Sequence, residues 1–412
     1  MSNWQSQVKN NPYFCILPFT HMHLGTDSKA RPCCVASWDE DIDSDISGKT
    51  LEEIWTSNEY QKLRRDMLDG KEVAACSGCY NIDKNGGGSD RVTHNKWFSP
   101  PNDEWEINPV TGNTNNNPIW MDLRPGRFCN LGCTMCAVGV SSTFAEEIKK
   151  YPELEEVTGQ NYYDVNDWIE DETLYNSLQK MIPHIDTIKL AGGEPLFMPG
   201  VIKLLRWCVE TGNTHLRLDI TTNGTRSKGK VINWLEKFKR VDIQYSIDGI
   251  GYVNEYIRYM SKWDVIDQNF NYYKTVDNIK TVNILATVQA YNAYDLINIF
   301  DYWEENCEHN LIFNLVDWPN DMSVDILPHD ERQRIASDLE IKAETLSTGK
   351  RQQSRIDAII HRLKKDDVEN IDDLRFSWAK RTKKYDEIRK NNIADVDLRL
   401  KEYMEEWMKI KK

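Results

Sequence analysis

Cys129-Asn-Leu-Gly-Cys133-Thr-Met-Cys136 places three thiols at C-x3-C-x2-C spacing, directly after the apolar, strand-like run Ile119-Trp-Met-Asp-Leu123. Three thiolates cannot close a four-iron cube, because each iron takes one external ligand; one iron of such a cube stays open. C-x2-C pairs in a reducing compartment also bind zinc. A structural zinc, however, takes four ligands, and this loop offers three with no His beside them.

Outward from the loop, apolar strand-like runs alternate with helical patterns, which argues for a parallel β/α architecture. Strands are expected at 119–123, 187–191, 216–221, 241–247, 282–288 and 311–316. In such folds the chemistry collects at the carboxyl ends of the strands. The second strand runs into Gly192-Gly193-Glu194-Pro195, where two glycines permit close backbone approach and Pro195 ends the pairing. The third ends in Thr222-Asn223-Gly224, and the fourth in Ser246-Ile-Asp248-Gly249, with Arg258 further on. Taken singly, each is also compatible with an ordinary turn or a surface ion pair.

Together these features resemble the radical S-adenosylmethionine (SAM) enzymes, whose cluster loop often reads C-N-L-x-C-x-x-C. The resemblance implies an α/β fold, a partial (β/α)6 TIM-like barrel over 119–318. It also implies a 4Fe–4S cluster on Cys129, Cys133 and Cys136 whose open iron chelates SAM. Reduction would then cleave SAM to methionine and a 5′-deoxyadenosyl radical. In the family, Gly192, Gly193 and Glu194 meet the SAM ammonium, and Asn223 lies near its methionyl and ribose groups. Ser246, Asp248 and Arg258 belong to the same cofactor-binding set; a guanidinium is a natural bidentate partner for the SAM carboxylate. Met135 stands where relatives often carry an aromatic against the adenine, and a polarizable thioether can pack similarly.

Ten cysteines in the chain are better explained by metal than by disulfides if the compartment is reducing. Five precede residue 80. Phe14-Cys15 leads into an alternating run around Thr20 to Leu24, a Gly25-Thr-Asp27-Ser-Lys turn and Ala30-Arg-Pro32-Cys33-Cys34. That pattern reads as a β-hairpin bringing Cys15 near Cys33 or Cys34. A helical run from Leu51 to Met67 then delivers Cys76-Ser-Gly-Cys79. Four thiolates suffice for a second, fully ligated cluster, or equally for a structural zinc. The Pro-Cys hairpin, the Leu-x-x-Ile-Trp helix and the final C-x2-C resemble the SPASM and one-cluster Twitch modules of radical SAM enzymes. Here the module precedes the barrel instead of following it. The resemblance implies Cys15, Cys33, Cys76 and Cys79 as ligands of an auxiliary 4Fe–4S cluster, with Cys34 the alternative to Cys33. His21 and His23, at i and i+2, read as surface or hydrogen-bonded histidines, and Cys208 and Cys307 as packing thiols.

The expected domains are therefore a cluster module over 1–100, a linker over 101–118, the barrel over 119–318 and a helical extension over 319–412. Gly86 to Ser89 and the Asn-rich stretch from Pro100 to Pro118 carry linker composition. Apolar spacing at Leu339, Ile341, Leu346, Ile356, Ile359, Ile360, Leu363, Tyr385, Ile388, Leu398 and Leu400 predicts amphipathic C-terminal helices with solvated charged faces. Trp378, Asp386 and Arg389 are candidates for the border of a substrate cleft.

With Lys plus Arg at 51 and Asp plus Glu at 65, the net charge of −14 disfavours nucleic acid as a partner. No apolar stretch is long enough to span a bilayer and none resembles a signal peptide, so the expected compartment is the cytoplasm, with no membrane partner. The expected function is hydrogen abstraction from a peptide or protein substrate. Electrons would come from a donor such as flavodoxin or ferredoxin and be relayed by the auxiliary cluster. A sugar, nucleotide or alcohol substrate is the alternative within the family; a zinc-stabilised binding protein without catalysis is the alternative outside it.

Overall fold

A computed structural model describes residues 10–37, 44–84, 88–100, 104–165, 167–345 and 350–410. Gly86, Gly87 and Leu346, used in the sequence reading, lie outside them. Nine strands occur among the described residues: β1 His21–Leu24, β2 Lys29–Arg31, β3 Ser44–Asp45, β4 Trp120–Leu123, β5 Thr187–Leu190, β6 Arg217–Thr222, β7 Arg240–Ser246, β8 Ile279–Val288 and β9 Leu311–Leu315. The sheet is mostly parallel and does not close on itself, the α/β form of a partial TIM-like barrel. All six barrel strands read from the sequence are present, within a few residues at their ends.

The chain divides into two compact units. The first comprises residues 1–128, 165–220 and 237–240. In it β4, β5 and β6 run parallel, with Met121 opposite Ile188 and Ile188 opposite Leu218. The alternate residues Met121, Leu123, Ile188, Leu190, Leu218 and Ile220 are buried, which fixes the register, because a slip by one residue would turn all of them to the opposite face. The N-terminal hairpin forms as expected, with His23 opposite Arg31. Its first strand also extends the barrel sheet: β1 pairs parallel with β4 from His21↔Trp120 to Leu24↔Leu123.

This pairing corrects the reading of the two histidines as surface groups, while their hydrogen-bonded alternative stands for His21. Both are buried. His21 Nδ1 lies 2.9 Å from the Pro32 carbonyl, to which it donates. His23 Nδ1 lies 3.4 Å from the buried Asp122 carboxylate, which Lys189 approaches at 3.9 Å. The helical run of the cluster module is two helices, Leu51–Trp55 and Asn58–Leu68, separated where Ser57 caps the second through its side chain. Within 101–118 the described part is an ordered turn: Ile107 bridges Thr114, and Trp105 and Ile107 pack with Phe14, Ile16 and Phe19.

The second unit comprises residues 129–164, 221–236 and 241–412. It holds the cysteine loop, the parallel β7–β8–β9 ladder and the C-terminal helices His329–Thr345, Lys350–Leu363, Ile371–Arg389 and Leu398–Trp407. No helix among the described residues is long and apolar enough to cross a membrane. Cys208 is buried in the helix Pro199–Glu210, and Cys307 donates from Sγ to the Val282 carbonyl at 3.2 Å, so both fill packing positions.

Candidate active site and auxiliary cluster site

The cysteine loop is irregular backbone, so its polar groups need partners from elsewhere. They are met on two sides. Ser141 caps the helix Ser142–Lys150 and donates its hydroxyl to the Leu131 carbonyl at 2.8 Å. Ser142 accepts from the Cys129 N–H at 3.0 Å, and Thr143 donates to the Cys129 carbonyl at 2.6 Å. On the other side the Gly132 N–H donates to the Tyr259 carbonyl at 3.2 Å, and the Thr134 N–H to the Ile257 carbonyl at 2.8 Å. These two bonds bracket Arg258.

Arg258 is therefore set beside the loop by backbone geometry, as the Thr134 and Gly132 spacing requires. Its Nε lies 2.8 Å from Asp248 Oδ2, and the Asp248 side chain is fully buried. Asp248 also accepts from the Thr287 N–H at 2.7 Å. Burial pushes its carboxyl pKa up, against the pull of Arg258. The Cys133 and Cys136 thiols hydrogen-bond each other; that bond lowers the Cys133 pKa, helped by Arg258 against burial, and raises that of Cys136. Met135, between them, is half-buried.

Asn223 is joined to the same loop. Its Nδ2 donates to Asn130 Oδ1 at 2.9 Å, its Oδ1 accepts from the Thr225 N–H at 3.0 Å, and Asn130 Nδ2 donates to Thr225 Oγ1 at 3.0 Å. Asn130 and Thr225 were missed as functional positions. The signal for Asn130 was present in the Cys-Asn-Leu string, but nothing local says that an amide there will pair with a turn more than ninety residues on. Ser246 lies buried at the end of β7.

Gly192, Gly193 and Glu194 are placed in the first unit. Gly192 has φ +106°, a region that favours glycine, and the Gly193 and Glu194 N–H groups donate to the Gly126 and Phe128 carbonyls at 3.2 and 2.7 Å. The turn is thus pressed onto the chain that leads into Cys129. A Cβ on Gly193 would lie 2.1 Å from the Phe128 carbonyl oxygen. Gly193→Ala is expected to displace this turn and cost about 1–3 kcal/mol of stability, the range for overpacking; urea unfolding within 0.5 kcal/mol of wild type would contradict the close approach. Glu194 is buried, with Oε1 accepting from the Leu196 N–H at 3.1 Å.

In the first unit, Cys15, Cys33 and Cys76 adjoin one apolar cluster of Leu17, Ala36, Leu63, Met67, Val73 and Ala75. Burial drives the Cys15 thiol pKa well up, with the fields of Cys33, Cys76 and Cys79 adding to it. Cys33 is pushed up to about 12 and Cys76 to about 11, again first by burial and with Cys79 acting on both. Cys34 is exposed, and the charges acting on it are those of Asp122, Lys189, Arg124 and Asp90. Cys33, unlike Cys34, packs with Cys76 against the apolar cluster that holds Cys15. Apolar burial disfavours the thiolates of Cys15, Cys33 and Cys76 unless a cation is supplied, which is compatible with these three thiols meeting a metal cluster. Among the described residues, no three His, Cys, Asp or Glu side chains converge on a site for one metal ion. A cube spreads its thiolates wider than a single ion does.

A family model described as the radical SAM superfamily matches residues 123–300, and one described as an iron-sulfur cluster-binding domain, SPASM, matches residues 15–80. No curated protein sequence matches. Among solved structures, anSMEcpe with bound AdoMet is similar at 15% identity and a TM-score of 0.39, over 55% of this chain and 60% of that one. Streptococcus suis SuiB bound to S-adenosylmethionine is similar at 18% identity and a TM-score of 0.36, over 54% of this chain and 47% of that one. The chain thus spans about half to three fifths of these two proteins.

Proposed function

Because the chain belongs to the radical SAM superfamily and carries an N-terminal SPASM iron–sulfur domain, we propose that it is a SAM-dependent enzyme abstracting hydrogen from a peptide or protein substrate in the cytoplasm. The observation that carries the reading is the docking of the cysteine loop on both sides of Arg258, which seats a buried cation beside Cys133 and Cys136. When bound, a 4Fe–4S cluster and SAM supply reductive cleavage of the sulfonium to methionine and a hydrogen-abstracting 5′-deoxyadenosyl radical.

Cys129, Cys133 and Cys136 would hold that cluster, and their number leaves a corner for the SAM amino and carboxylate groups. Arg258, held by Asp248, presents its guanidinium to the carboxylate. Asp248 itself then acts on Arg258 more than on SAM. Asn223, fixed by Asn130, and Ser246 would orient the methionyl and ribose portions, and Met135 would pack against the adenine. Gly192, Gly193 and Glu194 would receive the ammonium. Cys15, Cys33, Cys76 and Cys79 would fully ligate the auxiliary cluster, which favours electron relay over direct substrate ligation. A peptide substrate follows from the SPASM resemblance, and a flavodoxin- or ferredoxin-type donor from the need for a low-potential electron. The net charge of −14 argues against nucleic acid.

The test is anaerobic release of 5′-deoxyadenosine by the reconstituted protein under reductant, with and without candidate peptides, together with the peptide mass. Release stimulated by a peptide, with a mass change in that peptide, is expected. Cys79→Ala should retain some release and lose the mass change. Stimulation by small molecules alone would overturn the peptide assignment, and no release under any condition would overturn the enzyme assignment.

A further inference from the structure

The helix Ile371–Arg389 lies outside both matched segments, yet its inward stripe reaches the cysteine loop. Trp378 is fully buried, and Thr382 shares a 2.8 Å hydrogen bond with Tyr291. One turn on, Tyr385 Oη donates to the Thr134 carbonyl at 3.3 Å, and Asp386 accepts from Tyr256 Oη at 2.9 Å. At the end of the helix Arg389 forms a fork onto Glu147, with Nε–Oε1 at 2.9 Å and Nη2–Oε2 at 2.6 Å. Its guanidinium lies 4.6 Å from the ring centroid of Tyr259, whose carbonyl holds the Gly132 N–H. A Cβ built on Gly132 would stand 3.5 Å from the Tyr259 ring and 3.6 Å from Glu147 Oε2. The Arg389–Glu147–Tyr259 group is therefore packed directly against the residue before Cys133. Arg389 Nη1 is buried with no hydrogen-bond partner, and the guanidinium lies 4.0 Å from the Tyr385 ring centroid as well.

We propose that this C-terminal helix is a clamp on the cysteine loop, and that Arg389 is a positioning residue governing how firmly the loop keeps its cluster and how far water reaches it. The inference rests on the reading that residues 129–136 bind a cluster. Thr134 is fastened from both faces, by Ile257 on one and Tyr385 on the other, and Arg389 joins the helix that follows the loop to the segment that brackets Arg258. Removing the guanidinium would unfasten Glu147 and Tyr259 together, leaving the loop its own hydrogen bonds but without the packed group behind Gly132.

The test uses the full chain, reconstituted anaerobically, and follows iron release to a chelator, with the phase belonging to the loop defined as the one missing from Cys133→Ala. Arg389→Gln is expected to speed that phase by about 10- to 100-fold, the range for loss of a partner in the outer shell of a metal site. The other phase should be unchanged and so reports on the fold. Arg389→Lys, which keeps charge but not the fork, should fall between, and Tyr385→Phe should speed the same phase by a smaller factor. Equal acceleration of both phases, or of neither, would overturn the clamp. A wild-type protein that takes up no iron in the loop phase would instead overturn the cluster reading beneath it.

Discussion

Cys133→Ala is expected to bring 5′-deoxyadenosine release to background and to remove about four of about eight irons per chain. The reason is numerical before it is structural. With three thiols on the loop, the cluster already lacks a ligand at one iron, and deleting another leaves a second iron open to water and chelation. Cys133 is also the buried member of the set, between half-buried Cys129 and Cys136. No other described cysteine can replace it from within the loop, and its neighbours Gly132 and Thr134 are fixed by hydrogen bonds to Tyr259 and Ile257. Cys208→Ala is the control, because that thiol is buried in a helix and only packs; it should leave release and iron content unchanged. Release from Cys133→Ala equal to wild type would remove the loop from the mechanism.

Asp248→Ala is expected to lower the free energy of unfolding by about 3–5 kcal/mol, because it strands the Arg258 cation in a buried site. Asp248 is fully buried and Arg258 nearly so. The carboxylate carries the 2.8 Å ion pair and accepts the Thr287 N–H at 2.7 Å, so truncation leaves both a charge and a backbone donor without a partner. Asp248→Asn keeps an acceptor for Thr287 and should lose less. Replacing both Asp248 and Arg258 by Leu removes the stranded charge and should recover much of the stability while abolishing the SAM-dependent reaction. Urea unfolding of the three variants checks the ordering. A single Asp248→Ala variant within 0.5 kcal/mol of wild type would show that the pair does not hold Arg258.

Residues close in sequence were legible from the string. Cys129, Cys133 and Cys136 share one loop, and the six strands carried apolar runs long enough to mark themselves. The C-terminal helices were legible as amphipathic, but a stripe names a buried face without naming what buries it. From the sequence, Trp378, Asp386 and Arg389 are only candidates for the border of a cleft. The structure instead puts Trp378 in the core, gives Asp386 the Tyr256 hydroxyl and fastens Arg389 to Glu147. The parallel pairing of β1 with β4 escaped for a similar reason: a hairpin pattern fixes its own partner strand and says nothing of the sheet edge it will join.

By itself, the order of amino acids determined the ligand inventory, the barrel strands and the glycines that allow a turn to touch another backbone, because these depend on local spacing and on what each side chain can bond. Folding in three dimensions decided that Cys33 and Cys76 pack on the apolar cluster holding Cys15, that Asn130 meets Asn223, and that a helix from the far end of the chain closes over Thr134. Those outcomes depend on which surfaces meet, and their energies come from desolvating groups far apart in the chain, a quantity that no window of sequence contains.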